Sequence, residues 1–269
     1  MLSYSLTSRN PGSFLKPGRK SNPSAKKIVP GSLLASLFAL FLVVLAVVTA
    51  HAQTIRPVIS EYTAKVAKGS IELINPGLVP LTVVVEPKSF SVSESGDITY
   101  RPLDKGIQLK LSAMSFKIPP QQSYFIFYEA KSETLPAWFV IYANIGGFKT
   151  NHAGMNLRLD LPHTVYILPK HSVERSDLLV SSLGLSPAGD HLNFLVTNTS
   201  PWFGRALSTE IADSHGTTQG SGFPIFPNSR RIVQVACSQT ATTLRLRLKN
   251  FKVEAPVSEH PAPGLSCAP

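Results

Sequence analysis

The chain has 269 residues, of which 43% are hydrophobic and 9% aromatic, so it is long enough to form one or two globular domains. Its formal net charge is +10, but six of its 26 bases and none of its 16 acids lie in the first 52 residues. The remaining 20 bases and 16 acids leave a net charge of +4, which is too small to indicate a nucleic-acid-binding function.

The first 52 residues have the pattern of an export signal. A basic segment precedes the unbroken apolar run Ser32–Ala50, and Ala50-His51-Ala52 has small residues at the two positions that a signal peptidase reads. We therefore expect residues 1–52 to be a cleaved signal peptide and the mature chain to begin at Gln53, with no membrane segment. The alternative is an uncleaved anchor helix, because the apolar run is nearly long enough to span a bilayer.

The mature chain shows short β-rich runs and no sustained apolar stripe at the helical period. Turn-forming Pro, Gly, Asn and Ser residues separate these runs, which is typical of an all-β chain built from β-sandwiches. The Gly-rich segment 216–222 is interpreted as a flexible loop, and it lacks the Lys-Ser/Thr of a phosphate-binding loop. The predicted strands cover residues 70–74, 81–85, 107–111, 124–128, 138–143, 155–168, 192–197, 206–212, 231–236 and 243–253.

A polar segment, Pro169–Asp177, separates the first series of predicted strands from the second. It predicts one sandwich over residues 53–169 and another over residues 170–254, each of normal domain size. Residues 255–269 are predicted to be a Pro-rich tail.

The last predicted strand of the first sandwich has apolar and polar residues in strict alternation. Successive side chains of a strand point to opposite faces, so one face of this strand is apolar. That face either packs inside its own sandwich or binds another protein, and the pattern alone leaves both interpretations open. The apolar positions are Met155, Leu157, Leu159 and Leu161.

The mature chain has two cysteines, Cys237 and Cys267, and an exported protein can join such a pair in a disulfide. The bond would close a loop of about thirty residues and stabilise the fold by roughly 3–4 kcal/mol in the chain-entropy model. The alternative is two free thiols, because the sequence does not give the Cα separation that bonding needs.

The sequence gives no constellation of catalytic residues. His163 and His171 have no cysteine or carboxylate at ligand spacing between them, so we interpret them as surface or turn histidines and expect no metal site. A Gly-x-Ser-x-Gly nucleophile motif is absent. Asn198-Thr199-Ser200 has the form of a glycosylation site, but its position at the end of a strand favours a turn cap. We expect no enzyme activity and no cofactor.

Five segments resemble the periplasmic pilus-assembly chaperones of the chaperone–usher type. In chain order these segments resemble the first strand pair of the family, its Pro-Pro turn, its Leu-Pro and aromatic strand, the last strand of its first domain and the Asn-containing turn of its second domain. They are SIELINPGLVPLTVVV (70–85), FKIPPQQSYFIFY (116–128), LPAWFVIYANI (135–145), NLRLDLPHTVYILP (156–169) and LNFLVTNTSPWFG (192–204).

The resemblance implies two immunoglobulin-like β-sandwich domains and a periplasmic, non-catalytic protein. Its implied partners are secreted pilus- or fimbria-type subunits, with the participation of an outer-membrane usher left open, and neither nucleic acid nor membrane. In this family the last strand of the first domain completes a subunit that lacks a strand. By position, that donor strand corresponds here to Met155, Leu157 and Leu159, with Leu161 continuing the face. Strand pairing of this kind combines main-chain affinity with side-chain specificity.

The chain departs from the family at the residues that anchor the terminal carboxylate of the subunit. The family has an Arg and a Lys, whereas the matching positions here fall near Ile59–Ser60 and on Thr164. Arg56 lies close to the first position and is a candidate substitute. Two rival functions also stay open, namely a structural or adhesive cell-envelope protein and an enzyme or ligand-binding sandwich.

Overall fold

The computed structural model describes residues 54–149, 156–185, 191–213, 216–236 and 241–257. These residues form strands almost throughout, with a single turn of 3₁₀ helix at Arg175–Asp177. None of the helical structure in these ranges has the length and apolar character that crossing a membrane requires. The strands are β1 (Thr54–Arg56), β2 (Ile59–Tyr62), β3 (Val66–Asn75), β4 (Leu81–Val92), β5 (Ile98–Pro102), β6 (Ile107–Leu111), β7 (Ser115–Ile118), β8 (Gln122–Ser132), β9 (Ala137–Lys149), β10 (Asn156–Ile167), β11 (Leu178–Leu185), β12 (His191–Asn198), β13 (Gly204–Asp213), β14 (Gly216–Ile225), β15 (Ser229–Ala236), β16 (Thr243–Arg247) and β17 (Lys252–Pro256).

The first ten strands form one β-sandwich. One sheet has the order β1-β3-β8-β6, and the other has the order β2-β10-β9-β4-β5, with β7 also paired to β4. Alternate residues of both sheets point inward, and they bury an apolar core between the sheets. Phe139, Ile71, Ile126, Ile141 and Ile167 are among its fully buried side chains.

The N-terminal strand of this sandwich changes sheets. β1 pairs antiparallel with β3 in the first sheet, whereas β2 pairs parallel with β10 in the second sheet. The crossing occurs at Pro57 and Val58, which lie between the two strands. Because β1 belongs to the first sheet, it does not pair with β10. The position of the crossing therefore decides how much of β10 has a neighbouring strand on the side away from β9.

The remaining seven strands form a second sandwich. Its sheets have the orders β11-β12-β15 and β14-β13-β16-β17, and all their pairings are antiparallel. Phe194, Leu192, Ile211, Leu244 and Leu246 are fully buried between the sheets. The predicted fold class of two β-sandwiches is therefore confirmed, whereas the predicted signal peptide at residues 1–52 lies outside the described residues.

An aromatic cluster joins the two sandwiches. Phe226, from the turn between β14 and β15, packs 4.8 Å from Trp138 and 6.2 Å from Phe90, measured between ring centroids. Phe203 of the second sandwich lies 5.0 Å from Tyr166 of β10 in the same way. These contacts hold the C-terminal half of β10 against the second sandwich.

Polar contacts at the same junction involve strand edges. Ile232 of β15 donates its backbone N–H to the Glu94 carbonyl at 2.7 Å, and Arg230 forms an ion pair of 3.3 Å with the Glu94 side chain. Arg205 of β13 pairs with Glu61 of β2. The turn after β4 therefore covers part of the outer edge of β15.

Each sandwich has a buried Asn at the end of an early strand. Asn198 donates its side-chain N–H groups to the carbonyls of Trp202 and Phe226 at 2.7 and 2.9 Å and accepts the N–H of Ser200 at 3.0 Å. Asn75 makes the same kind of contacts in the first sandwich, to Val79 at 2.9 Å among others. The prediction that Asn198 caps a turn is confirmed, and its side chain is buried.

Two sequence interpretations in the second sandwich were wrong. Residues 216–222 form most of β14, which pairs with β13 from Gly216 to Ile225, and are not a loop. A side chain at Gly220 would collide with Thr209, so this glycine permits close packing of the strands. The predicted strand 243–253 is two strands joined by a turn, in which Leu248 donates its N–H to Phe251 O at 2.9 Å. β17 ends at Pro256, beyond the predicted boundary at residue 254.

Candidate functional site: the free edge of strand β10

Strand β10 has an edge that is only partly paired. β9 pairs with it from Asn156 to Ile167, with one register shift between Leu157 and Leu159. On its other side, β2 pairs with it only from Thr164 to Ile167. Among the described residues, the segment 156–163 therefore has a neighbouring strand on one side only, and we call this segment the free edge.

The backbone groups that the free edge offers follow from the pairing of its covered part. Thr164 donates its N–H to Val58 O at 2.8 Å, on the side of β2. The N–H and C=O of a strand residue point to the same side, and successive residues alternate between sides. The register to β9 is regular from Leu159 onward, so Asp160 and Pro162 point to the same side as Thr164. The free edge thus presents the N–H and C=O of Asp160 and the C=O of Pro162.

The inner face of β10 is less buried at the part of the free edge that is farthest from β2. Val165 and Ile167, which β2 covers, are both 0% exposed. Leu159 and Leu161 point the same way but are only half-buried, and they pack at the margin of the same core. Completing their burial with a further strand would stabilise a complex by about 1–3 kcal/mol for the two side chains together.

The structure thus describes part of the predicted donor strand. Leu159 and Leu161 lie on one face of a strand, next to the free edge, and they are neither wholly covered by their own sandwich nor part of a helix. Leu157 lies in the strand, but its side chain is outside the described part of the structure, as is the whole of Met155. The role of these four residues as a donor strand stays a prediction.

The outer face of the free edge is polar. Arg158 and Asp160 form an ion pair of 2.8 Å there, and Pro162 is exposed between Asp160 and Thr164. Charges and proline on an edge strand oppose indiscriminate pairing with other strands. Pro162 is tolerated because its missing N–H falls on the unpaired side of the strand. The edge is therefore open to a strand that fits it and protected against general aggregation.

His163 lies at the boundary between the free and covered parts of β10, and its interpretation as a surface or turn residue was wrong. Its ring is 0% exposed and lies between the two sheets. Nδ1 lies 2.6 Å from the Pro57 carbonyl oxygen, and Nε2 lies 3.1 Å from the Tyr128 hydroxyl. Burial lowers the pKa of His163, and the hydrogen bond to Pro57 opposes part of that effect.

The two positions that correspond to the carboxylate anchor of the family are neighbours in the structure. Ile59 and Thr164 are register partners in the β2–β10 pair. Arg56, the predicted substitute, lies instead in the other sheet, where it forms an ion pair of 3.4 Å with Glu72 and is mostly exposed. Its proposed role is untested, and this placement does not favour it.

Arg231 of β15 is a partly buried cation near the covered part of β10. It lines a cleft of about 250 Å³ together with Pro162, Thr164 and Tyr166 of β10. Its guanidinium lies over the Phe223 ring at 5.3 Å, and its buried Nε has no hydrogen-bond partner among the described residues. Burial lowers its pKa. Among the described residues Arg231 has no carboxylate partner, so it is a candidate contact for an anion in this cleft.

Two other kinds of site that the sequence raised are a metal site and a disulfide. No group of three or more His, Cys, Asp or Glu side chains in these ranges is arranged to hold a metal ion. Cys237 and Cys267, the predicted disulfide, both lie outside the described residues.

Solved structures of fimbrial chaperones resemble this chain. The YadV chaperone matches at 12% identity and a TM-score of 0.49, covering 77% of this chain and 100% of its own. The complex of the Salmonella enterica SafA pilin with the SafB chaperone matches at 9% identity and a TM-score of 0.49, covering 78% and 98%. The class 5 fimbriae chaperone CfaA matches at 10% identity and a TM-score of 0.46, covering 77% and 99%.

No protein-family model and no curated protein matches the chain. The resemblance to pilus-assembly chaperones that the sequence predicts is thus also found among solved structures, at very low sequence identity.

Proposed function

We propose that this protein is a non-catalytic periplasmic chaperone that binds pilus- or fimbria-type subunits lacking a strand. The free edge of β10 supplies the missing strand, with Leu159 and Leu161, preceded by Leu157 and Met155, facing the groove of the subunit. A strand-deficient subunit exposes both an apolar groove and an unpaired edge, which together promote aggregation until they are covered.

One observation carries this proposal. Along the inner face of β10, burial is complete at Val165 and Ile167, beside β2, and at His163, next to where β2 begins. It is incomplete at Leu159 and Leu161, which are farther from β2. The sheet therefore has no neighbouring strand on one side of Leu159 and Leu161, whose side chains are only half-buried. A partner that adds a strand there would bury side chains and pair backbone groups at once.

Arg231 gives this proposal an anion contact. The positions matching the basic pair of the family hold Ile59 and Thr164, and neither side chain is charged. Arg231 lines the cleft that Thr164 also lines and has no carboxylate partner among the described residues. We propose that it contacts a carboxylate of the client in place of that pair.

The test is capture of a client in the periplasm. The protein is co-expressed with short secreted β-rich subunits encoded by neighbouring genes, and the complex is isolated through a tag on the protein. We expect Leu159→Arg combined with Leu161→Arg to reduce capture at least tenfold, because two charges would enter the apolar groove. Complex yield and thermal unfolding of the free protein are measured together.

Phe125→Arg combined with Phe127→Arg is the matched control. These residues are also apolar, two positions apart on one strand and 50% and 61% exposed, but they lie on the outer face of the other sheet. This control should leave capture intact. If the control abolishes binding and the Leu159/Leu161 variant does not, the exposed Phe pair is the binding surface, and the rival function of an adhesive envelope protein is favoured.

A further inference from the structure

A chain of hydrogen bonds holds the crossing of the N-terminal strand against β10. The Pro57 carbonyl contacts His163 Nδ1 at 2.6 Å, His163 Nε2 contacts the Tyr128 hydroxyl at 3.1 Å, and that hydroxyl contacts Tyr62 Oη at 2.8 Å. Pro57 lies at the crossing, Tyr62 ends β2, and Tyr128 belongs to the opposite sheet. The chain thus joins both ends of β2 to the inside of the sandwich.

The chemistry of the partners determines the state of the His163 ring. The Pro57 carbonyl can only accept a hydrogen bond, so Nδ1 carries the proton and donates it. In the neutral ring Nε2 is then an acceptor, and it receives the Tyr128 hydroxyl proton. The Tyr128 oxygen is left free to accept from Tyr62. Every group in the chain is satisfied when His163 is neutral and carries its proton on Nδ1.

The surroundings of His163 compensate only in part for a positive charge, through the Pro57 carbonyl. The polar groups in contact with it are the Pro57 carbonyl from the crossing and the Tyr128 hydroxyl from β8, and the hydroxyls of Ser60 and Tyr62 from β2 interact in turn with Tyr128. Its register partner on β9 is the apolar Ile141. Among the described residues no carboxylate contacts the ring, and a charge buried without a partner is strongly unfavourable.

We propose that His163 is a positioning residue which, in its neutral form, fixes where β2 begins to cover β10 and so sets the length of the free edge. When His163 is protonated, the crossing at Pro57 detaches and β2 separates from Thr164–Ile167, so that the free edge extends along β10. This inference rests on the proposed function for its consequence, because a longer free edge offers more backbone groups and side chains to a client.

The direction of the pH effect follows from the burial. Because the folded protein favours neutral His163, the opened state binds the proton more readily than the closed state. The closed form is therefore fully favoured above the ordinary histidine pKa of about 6.5. As the pH falls below that value, the equilibrium constant for separation of β2 from β10 rises by up to about tenfold per pH unit. The rise stops when the pH reaches the lowered pKa of His163 in the closed form.

The experiment is hydrogen exchange by NMR on the free protein between pH 7.5 and 4.5, corrected for intrinsic exchange. The reporters are the N–H groups of Thr164 and Leu168, which donate to Val58 O and Tyr62 O at 2.8 Å each. Amides of β12 in the second sandwich report global unfolding. We expect the reporters to lose up to about tenfold protection per pH unit below pH 6.5, while the β12 amides do not follow.

His163→Asn is the matched variant, because its amide N–H replaces Nδ1 as a donor to Pro57 and does not titrate in this range. In this variant the protection of Thr164 and Leu168 should be independent of pH. The imidazole ¹⁵N shifts of the unmodified protein should show the proton on Nδ1 at pH 7.5. If His163→Asn fails to fold, the ring titration and the exchange profile of the unmodified protein decide.

Three outcomes would overturn the proposal. They are a proton on Nε2 at neutral pH, unchanged Thr164 protection while His163 titrates, and an equal pH dependence in His163→Asn. No client is present in this experiment, so its result is independent of the capture test. If the Leu159/Leu161 variant loses capture as expected but Thr164 shows no pH effect, only this inference is refuted. If Thr164 shows the pH effect but the unmodified protein captures no client, only the proposed function is refuted.

Discussion

At the scale of single residues, the described part of the chain contains two arginines in opposite situations. Arg245 is paired with Glu254 at 2.6 Å and with Glu210 at 3.4 Å, and these pairs raise its pKa. Arg231 has no carboxylate partner among the described residues, and burial lowers its pKa. A guanidinium that is desolvated without an anion is unfavourable for stability, so we expect Arg231 to contribute to binding and not to folding.

We therefore predict opposite effects of Arg231→Gln on stability and on binding. The free energy of unfolding should stay the same or rise by up to about 1 kcal/mol, because a desolvated charge is removed. Capture of the client should fall about tenfold or more, because a charge-assisted contact is lost. Thermal unfolding and the affinity of the purified complex measure the two effects.

Arg245→Gln is the control for that experiment. It breaks ion pairs at the surface of the second sandwich, so it should lower stability slightly or not at all and leave capture unchanged. If Arg231→Gln instead lowers stability and leaves capture unchanged, Arg231 stabilises the fold and does not contact the client.

At the scale of strands, the chain treats its edges differently. The outer edge of β15 is partly covered, because the turn after β4 accepts the Ile232 N–H. The free edge of β10 instead has an ion pair and a proline on its outer face. In its segment Leu159–Pro162, one N–H, that of Asp160, points to the unpaired side of the strand. Protection by charge and proline leaves a strand accessible, whereas coverage by a turn does not.

Asp160→Pro is predicted to weaken capture without unfolding the sandwich. The substitution removes the one N–H that the segment Leu159–Pro162 offers to a partner strand, and it leaves the bonds to β9 in place because these belong to the neighbouring residues. Pro162 on the same side shows that the strand accepts a proline there. We expect a three- to tenfold loss of affinity, measured with the purified complex, and a change in melting temperature of only a few degrees.

Glu254→Pro in the edge strand β17 is the comparison. Among the described strands β17 pairs only with β16, and Glu254, like Pro256, points to the unpaired side of that strand. This substitution should leave the affinity unchanged. Equal affinity of Asp160→Pro and the unmodified protein would show that the client does not pair with the backbone of β10 at this residue.

The sequence predicted the strands well where apolar and polar residues alternate clearly. It failed where a feature depends on pairing between strands that are distant in the sequence. The alternation around β10 gave its position, but whether its apolar face is internal or free depends on where β2 begins to pair with it, and that pairing is long-range in sequence. One local signal was overlooked. Pro162 lies within the predicted strand, and proline in a strand indicates an unpaired edge.

Buried polar and glycine positions were the least predictable. His163 is polar and follows a proline, which suggests a turn, yet its partners come from Pro57 and Tyr128, far away in the sequence. Gly69 interrupts a strand without any apparent local reason, but a side chain there would collide with the hydroxyls of Tyr62 and Tyr128. Such residues depend on contacts between sheets, which composition and periodicity do not contain.

At the scale of the molecule, Phe226 connects the two sandwiches. Its ring contacts Trp138 and Phe90 of the first sandwich and Phe203 of the second, and it is almost fully buried. Its backbone carbonyl is held separately by Asn198, so truncation of the ring should not disturb the turn. The ring therefore fixes the orientation of the second sandwich relative to the covered half of β10.

Phe226→Ala should uncouple the sandwiches while each stays folded. Removing a buried Phe costs about 3–5 kcal/mol, and here the loss falls on the junction and not on either core. We expect residual dipolar couplings to show independent orientation of the two sandwiches, and capture to fall because Arg231 no longer keeps its place beside Thr164. Phe194→Ala, in the core of the second sandwich, should lower the stability of that sandwich by a similar amount and leave the couplings of the folded protein unchanged. A single common orientation in both variants would mean that the ion pairs of Glu61 and Glu94 suffice to hold the junction.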